Sequence, residues 1–178
     1  MTLTDRLQEL ERRVMDVGAP VAALLLPGVD LADSPPGLGV YPGEVVEWFA
    51  WHNGVAERPG QLLGEVNLIP GFRLVSISEA LEMRSAYSGD DILGDFWVPL
   101  LASGGGDIYA AVWSPSSTVA QVATVVLGEP TEVEFDSLSA MVEAFVRCFD
   151  QGAFFLAENG FLDMDPEVYS RVRGDGGS

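Results

Sequence analysis

Nucleophilic, acid–base and metal chemistry draw on a few side-chain types, and this 178-residue sequence holds one histidine, His52, and one cysteine, Cys148. A metal site built on two histidines is therefore excluded, and a site of His52 with carboxylates needs ligands gathered from distant positions. The plain reading of His52 is a helix-end residue with its polar tip in a hydrogen bond. Cys148 and His52 formally allow a Cys–His pair. On a helical wheel, however, Cys148 falls beside Met141 at the edge of an apolar face, where an inert buried thiol is the usual occupant. A Ser–His–Asp triad also has to use His52, and no Gly-x-Ser-x-Gly elbow is present.

Ser103-Gly104-Gly105-Gly106-Asp107 is the segment closest in type to a phosphate cradle. Such a cradle needs a strand-to-helix turn and usually a lysine, or a Gly-x-Gly-x-x-Gly that opens a helix. Neither is present, and Ile108 to Trp113 reads as a strand. The segment is read as a hairpin connection whose glycines take positive φ, with Asp107 holding the turn. Asp163-Met164-Asp165 resembles part of a calcium loop, but the rest of that pattern is missing. With 27 Asp and Glu in the chain, almost any two could be named an acid/base pair, so pairing alone carries no information.

The balance of charge says more. Nine cations, all arginine, face 27 acids, for a net charge of −18. That balance repels phosphate backbones and anionic membranes, so neither nucleic acid nor a membrane surface is an expected partner. Between Pro59 and Val146 lie 12 acids and 2 arginines, concentrated enough to steer a basic partner protein. Residues 1–16 hold no apolar signal core, and the apolar run Pro20 to Val29 is too short to span a bilayer. A lone cysteine forms no internal disulfide, which favours a reducing compartment. The expected location is the cytoplasm. Lysine-free, Arg/Ala/Gly-rich usage suits a high-GC bacterial genome.

Apolar residues make up 48% of the chain, enough to fill one core without a disulfide or metal. The spacing of Leu3, Leu7, Leu10, Val14 and Val17 predicts a first helix, capped by Thr4 and ended by Gly18-Ala19-Pro20. Residues 27–42, rich in Gly, Pro and Asp, read as a long connection able to separate that helix from the body. Glu44 to His52 is a second helix. Val45, Val46, Trp48, Phe49 and His52 share its core arc, while Trp51 falls outside it, beside Glu44 and Glu47, at a surface or groove edge. Val66 to Val75 is extended around Pro70-Gly71, and Ser76 or Ser78 caps a helix running to about Tyr87. Strands follow at Phe96–Leu101, Ile108–Trp113 and Thr118–Leu127, with Val133-Glu134-Phe135 a fourth. Their short spacing implies antiparallel neighbours. Asp136 or Ser137 caps the strongest helix, with Leu138, Met141, Val142, Phe145 and Phe149 on one face and Gly152 closing it. Pro166 to Val172 is a short helical segment, and 174–178 a frayed tail.

One series of motifs runs through the chain in order. Glu47-Trp48-Phe49-Ala50-Trp51-His52-Asn53-Gly54 comes first, followed by Leu68-Ile69-Pro70-Gly71-Phe72 and Ser76-Ile77-Ser78-Glu79-Ala80-Leu81. Phe96-Trp97-Val98-Pro99-Leu100, Ser103-Gly104-Gly105-Gly106-Asp107 and Phe135-Asp136-Ser137-Leu138 complete the series. This order resembles the SUKH superfamily (SMI/KNR-like), the group of fungal cell-wall-synthesis regulators and many bacterial immunity proteins. The resemblance covers roughly Tyr41 to Asp150; the N-terminal helix, its connection and the segment after Asp150 depart from it. It implies an α+β domain, over residues 41–173, with a mainly antiparallel sheet, flanking helices, no catalytic apparatus and no cofactor. Residues 1–40 and 174–178 are then additions.

On this reading the chain is a non-enzymatic binding module, an immunity protein that neutralises a basic toxin such as a nuclease. The alternative is a regulatory scaffold with an endogenous partner. Trp51, Trp97 and Asp107 are the residues expected near a binding groove, with Asp90, Asp91 and Asp95 supplying charge; no metal is expected.

Overall fold

The computed structural model describes residues 1–33 and 38–174. The expected tail beyond Gly174, and residues 34–37 of the expected connection, lie outside the described residues. The N-terminal half supplies α1 (Leu3–Asp16), β1 (Leu25–Pro27), α2 (Gly43–Trp51), β2 (His52–Val55), β3 (Asn67–Ile69), β4 (Phe72–Leu74) and α3 (Ile77–Met83). The C-terminal half supplies β5 (Trp97–Ala102), β6 (Ile108–Val112), β7 (Gln121–Val125), β8 (Glu132–Phe135), α4 (Leu138–Asp150), β9 (Phe154–Leu156), β10 (Leu162–Met164) and α5 (Pro166–Gly174). The fold is α+β.

Strands β3 to β8 form one six-stranded sheet in sequence order, every neighbouring pair antiparallel. Both faces are covered, which is why β5 and β6 read as apolar runs rather than alternating ones. Tyr109 and Val112 stand three apart on β6 and so point to opposite faces. On the Tyr109 face lies α4, whose Phe145 ring meets Tyr109 at 5.7 Å and Phe135 at 6.2 Å. Trp97 sits opposite Val112 in register and shares its face. There the Tyr87 ring packs edge-on at 6.1 Å, and the Arg84 guanidinium lies 5.3 Å above the Trp97 ring.

Helix α1 is not set apart from the body. Its Leu3, Leu7, Leu10 and Val14 belong to the same core as the sheet residues, and the helix packs on α2 and α4. Its cap is Thr2, not Thr4: Thr2 and Asp5 form a reciprocal capping box. Thr4 instead gives its amide and hydroxyl to the Glu47 carboxylate of α2, at 3.1 and 2.9 Å. On the same face of α2, Glu44 accepts the Leu138 and Ser139 amides at 2.9 and 3.3 Å, and the Ser139 hydroxyl as well. One short helix thus caps the starts of both of its neighbours with half-buried carboxylates. Arg6–Glu143 and Arg13–Asp150, each at 2.6 Å, add two ion pairs across the α1–α4 seam.

Four short strands fall where the sequence suggests none. β1 pairs with β2, with Leu25 opposite Val55 and Pro27 opposite His52. Gly28 is obligatory at this crossing, because a Cβ there would stand 1.8 Å from the Ala50 carbonyl oxygen. β9 and β10 form a hairpin in the segment that resembled a calcium loop. In it Asp165 accepts the Glu167 and Val168 amides at the start of α5. None of the helices among the described residues is long and apolar enough to cross a membrane.

Removing either α2 carboxylate strands helix-terminal amides. Glu44→Ala and Glu47→Ala are each expected to lower stability by about 1–2 kcal/mol. Glu44→Ala should be the more costly, since it serves more donors. Urea midpoints at constant m measure both, and Glu44→Gln should recover part of the loss.

Candidate functional site

His52 begins β2 directly after α2 and lies against α1. Its Nδ1 is 2.8 Å from the Leu26 carbonyl oxygen, and its Nε2 is 3.1 Å from the Glu11 carboxylate. Both ring nitrogens face oxygens, and only a ring carrying both protons donates to both. The Trp51 indole donates to the same Glu11 oxygen at 2.9 Å and packs edge-on against Trp48 and His52. Trp51 is half-buried in the α1–α2 seam, so the groove edge expected of it is occupied by the protein's own first helix. Cys148 is fully buried in α4, and desolvation pushes its thiol up to about 11, against the pull of Arg173 and Arg147. Among the described residues no three His, Cys, Asp or Glu side chains converge as a metal-holding group.

The glycine segment is the β5–β6 hairpin turn. Ser103 and Asp107 close it, with the Ser103 amide donating to the Asp107 carbonyl at 2.8 Å. The Ser103 hydroxyl oxygen accepts the Gly105 and Asp107 amides at 3.2 and 3.0 Å. Of the three glycines only Gly106 takes a positive φ, +97°. The Asp107 carboxylate accepts the Leu127 amide at 3.0 Å and ties this turn to the one between β7 and β8. The Tyr87 hydroxyl donates to the Gly106 carbonyl at 2.6 Å. Asp107 therefore spends its charge on a neighbouring turn.

The remaining sequence-selected residues lie along the 88–95 loop, on the sheet face opposite α4. Trp97 is buried beneath it, 3% exposed, and offers no ring to a partner. Asp90 accepts the Ile92 and Leu93 amides at 2.9 and 3.0 Å and the Thr131 hydroxyl. Partial burial opposes its charge, but the Thr131, Leu93 and Ile92 donors outweigh that and hold the Asp90 carboxyl below the usual carboxylate range. Asp90 is thus the loop's anchor, while Asp91 and Asp95 stay exposed. The Arg84 guanidinium donates to the Asp95 peptide carbonyl at 2.8 Å, which leaves the Asp95 carboxylate outward. Trp51, Trp97 and Asp107 do not share one groove: a helix seam, a sheet face and a hairpin tip hold them separately.

Two concave surfaces stand out. The larger, about 820 Å³, lies between β2, the 57–66 segment and the start of α3. Leu62 and Leu63 are exposed on its rim, and its charges are mixed: Arg73 is paired with Glu79, and Arg58 lies near Glu57. The smaller, about 540 Å³, lies between the 92–95 loop and the turn joining β6 to β7, with Asp136 closing one side. Its ionic groups are Asp95 and Asp136 alone. Sequence reasoning selected Asp95 but missed Trp113, Val119 and Asp136, which reach the groove from other segments. The missed signal was that the start of β5, the end of β6 and the start of β7 lie side by side here.

Two outcomes follow. Cys148 should resist thiol reagents in the folded protein and react at the unfolding midpoint. Because the unfolded thiol ionises first, stability should fall as pH rises from about 8.5 toward the folded value. For Asp90 the sign is reversed: its folded carboxyl is held low, so its contribution is complete above about pH 4 and lost as pH falls below that. Asp90→Ala should cost about 1–2 kcal/mol at neutral pH and flatten the acid limb of the stability–pH curve. In comparisons with known proteins, no family model and no curated protein matches this chain.

Proposed function

We propose that this chain is a cytoplasmic, non-enzymatic protein-binding module of SUKH type, an immunity protein that covers and neutralises a basic toxin domain. The allocation of charge is the observation that supports this most. Arg6, Arg13, Arg73 and Arg173 are engaged with the protein's own carboxylates, and Arg84 with a peptide carbonyl. Asp91, Asp95, Glu129, Glu132 and Asp136 are all exposed, and among the described residues none of them is in an ion pair. They are strung along the β8 edge of the sheet: Glu129 and Glu132 at the β7–β8 turn, which Asp90 holds through Thr131, and Asp95 and Asp136 at the opposite end of β8.

A nuclease cleft is cationic because it holds phosphates. Exposed carboxylates on a rigid sheet edge attract the same cleft and occlude it without chemistry. The engagement of His52 and the burial of Cys148 fit a chain built for binding.

The test is co-expression with a toxin domain encoded beside this gene, together with association kinetics on the purified pair. Growth should be rescued, and the association rate should drop at least about tenfold between about 0.05 and 0.5 M NaCl. Absence of both binding and rescue overturns the reading.

A further inference from the structure

We infer that the 540 Å³ groove between the 92–95 loop and the β6–β7 turn seats the basic partner, accepting an arginine or lysine flanked by aliphatic residues on an extended protein segment. This inference rests on the binding role proposed above and names the place where it acts.

The groove is amphipathic in a way that selects such an occupant. Ile92 and Val119, 45% and 51% exposed, form its two walls, while Leu93 and Trp113 are nearly buried at its base. Asp95 and Asp136 enter from different segments, and among the described residues neither carboxylate has a hydrogen-bond or ion-pair partner. A long cationic side chain lays its methylenes on apolar walls and its charge on carboxylates. Aliphatic neighbours on the same segment then cover Ile92 and Val119. A small cation would leave those walls wet, and a polyamine brings short methylene links but no aliphatic side chains to cover Ile92 and Val119.

The groove is also built in advance. Asp90 pins the loop to Thr131 and to its own amides, and Arg84 fixes the Asp95 carbonyl. The Trp113 amide donates to the Phe96 carbonyl at 3.0 Å, which fixes the groove floor to the start of β5. Little ordering cost then remains for binding. The larger groove lacks this selectivity, since Arg58 and Arg73 stand among its acids.

The experiment is a titration of the ¹⁵N-labelled full chain with a pentapeptide alternating leucine and arginine, at low salt. Amide shifts should concentrate on residues 92–95, 113–121 and 136. Combined Asp95→Asn and Asp136→Asn should weaken binding about tenfold. Combined Glu57→Gln and Glu82→Gln, the same change of net charge on the rim of the larger groove, should change it less than about twofold. Spermidine should bind several-fold more weakly than the peptide, and Val119→Asn, which removes an apolar wall without changing the charge, should weaken the peptide.

Equal losses from the two double variants, or equal binding of spermidine, overturn the groove assignment. Shifts centred on another acidic surface overturn the groove but keep the binding role. No binding of the basic peptide at all overturns the groove assignment, while the binding role falls only if the toxin domain is neither bound nor neutralised.

Discussion

The capping of two helices by one face of α2 is the side-chain contact that joins the helices of this fold to one another. Helix termini carry amides with no partner inside the helix, and burying them unpaired is costly. Glu47 takes those of Thr4 and Glu44 those of Leu138 and Ser139, which joins segments 43 and 94 residues apart in sequence. Carboxylates suit this work because the helix start is electropositive, so charge and hydrogen bonding act in one direction. At the other end of the same seam, Glu11 of α1 returns the contact by accepting from Trp51 and His52. With α1 and α4 fixed on α2, the α4 aromatic face is aimed at Tyr109 and Phe135. The sheet then has a rigid layer behind it, and its other face carries the 88–95 loop over Trp97.

How much of this was legible in the sequence depended on the range of the contacts. Helix α4 is readable from Leu138, Met141, Val142, Phe145 and Phe149 because its period, cap and stop all lie within 16 residues. The β5, β6 and β7 runs are readable because turn residues punctuate them. Strands β1, β2, β9 and β10 are not, since each has three or four residues and no alternation to betray it. The membership of α1 in the core was hidden for a different reason. Its apolar stripe is plain, but nothing local says what the stripe covers. Trp51, set beside Glu44 and Glu47 outside the apolar arc, was the signal for the α1–α2 seam. It read as an exposed edge because the covering helix lies 40 residues upstream.

The candidate site was harder still. Composition shows an acidic chain, but not which carboxylates are already engaged. Asp5, Glu44, Glu47, Asp90, Asp107 and Asp165 all accept backbone amides. Only geometry separates these from Asp91, Asp95 and Asp136, which keep their charge for solvent or a partner. Asp90 and Asp91 are adjacent in sequence and differ entirely in role, one anchoring the loop and the other exposed on it.

That separation bears on the net charge of −18. Carboxylates engaged with amides cost no mutual repulsion that the fold has not already offset by hydrogen bonds. The exposed, unpaired ones repel each other across the sheet edge, and this opposes the compact state. Salt screens that repulsion and so steadies the free protein, whereas it slows the approach of the proposed basic partner. The two responses to ionic strength run in opposite directions and arise from the same residues. A partner that neutralises the edge also binds only the folded form, and by linkage it stabilises what salt would otherwise have to screen. On the proposed reading, the surplus of acid is a strain held at one edge of a well-capped fold and relieved when that edge is covered.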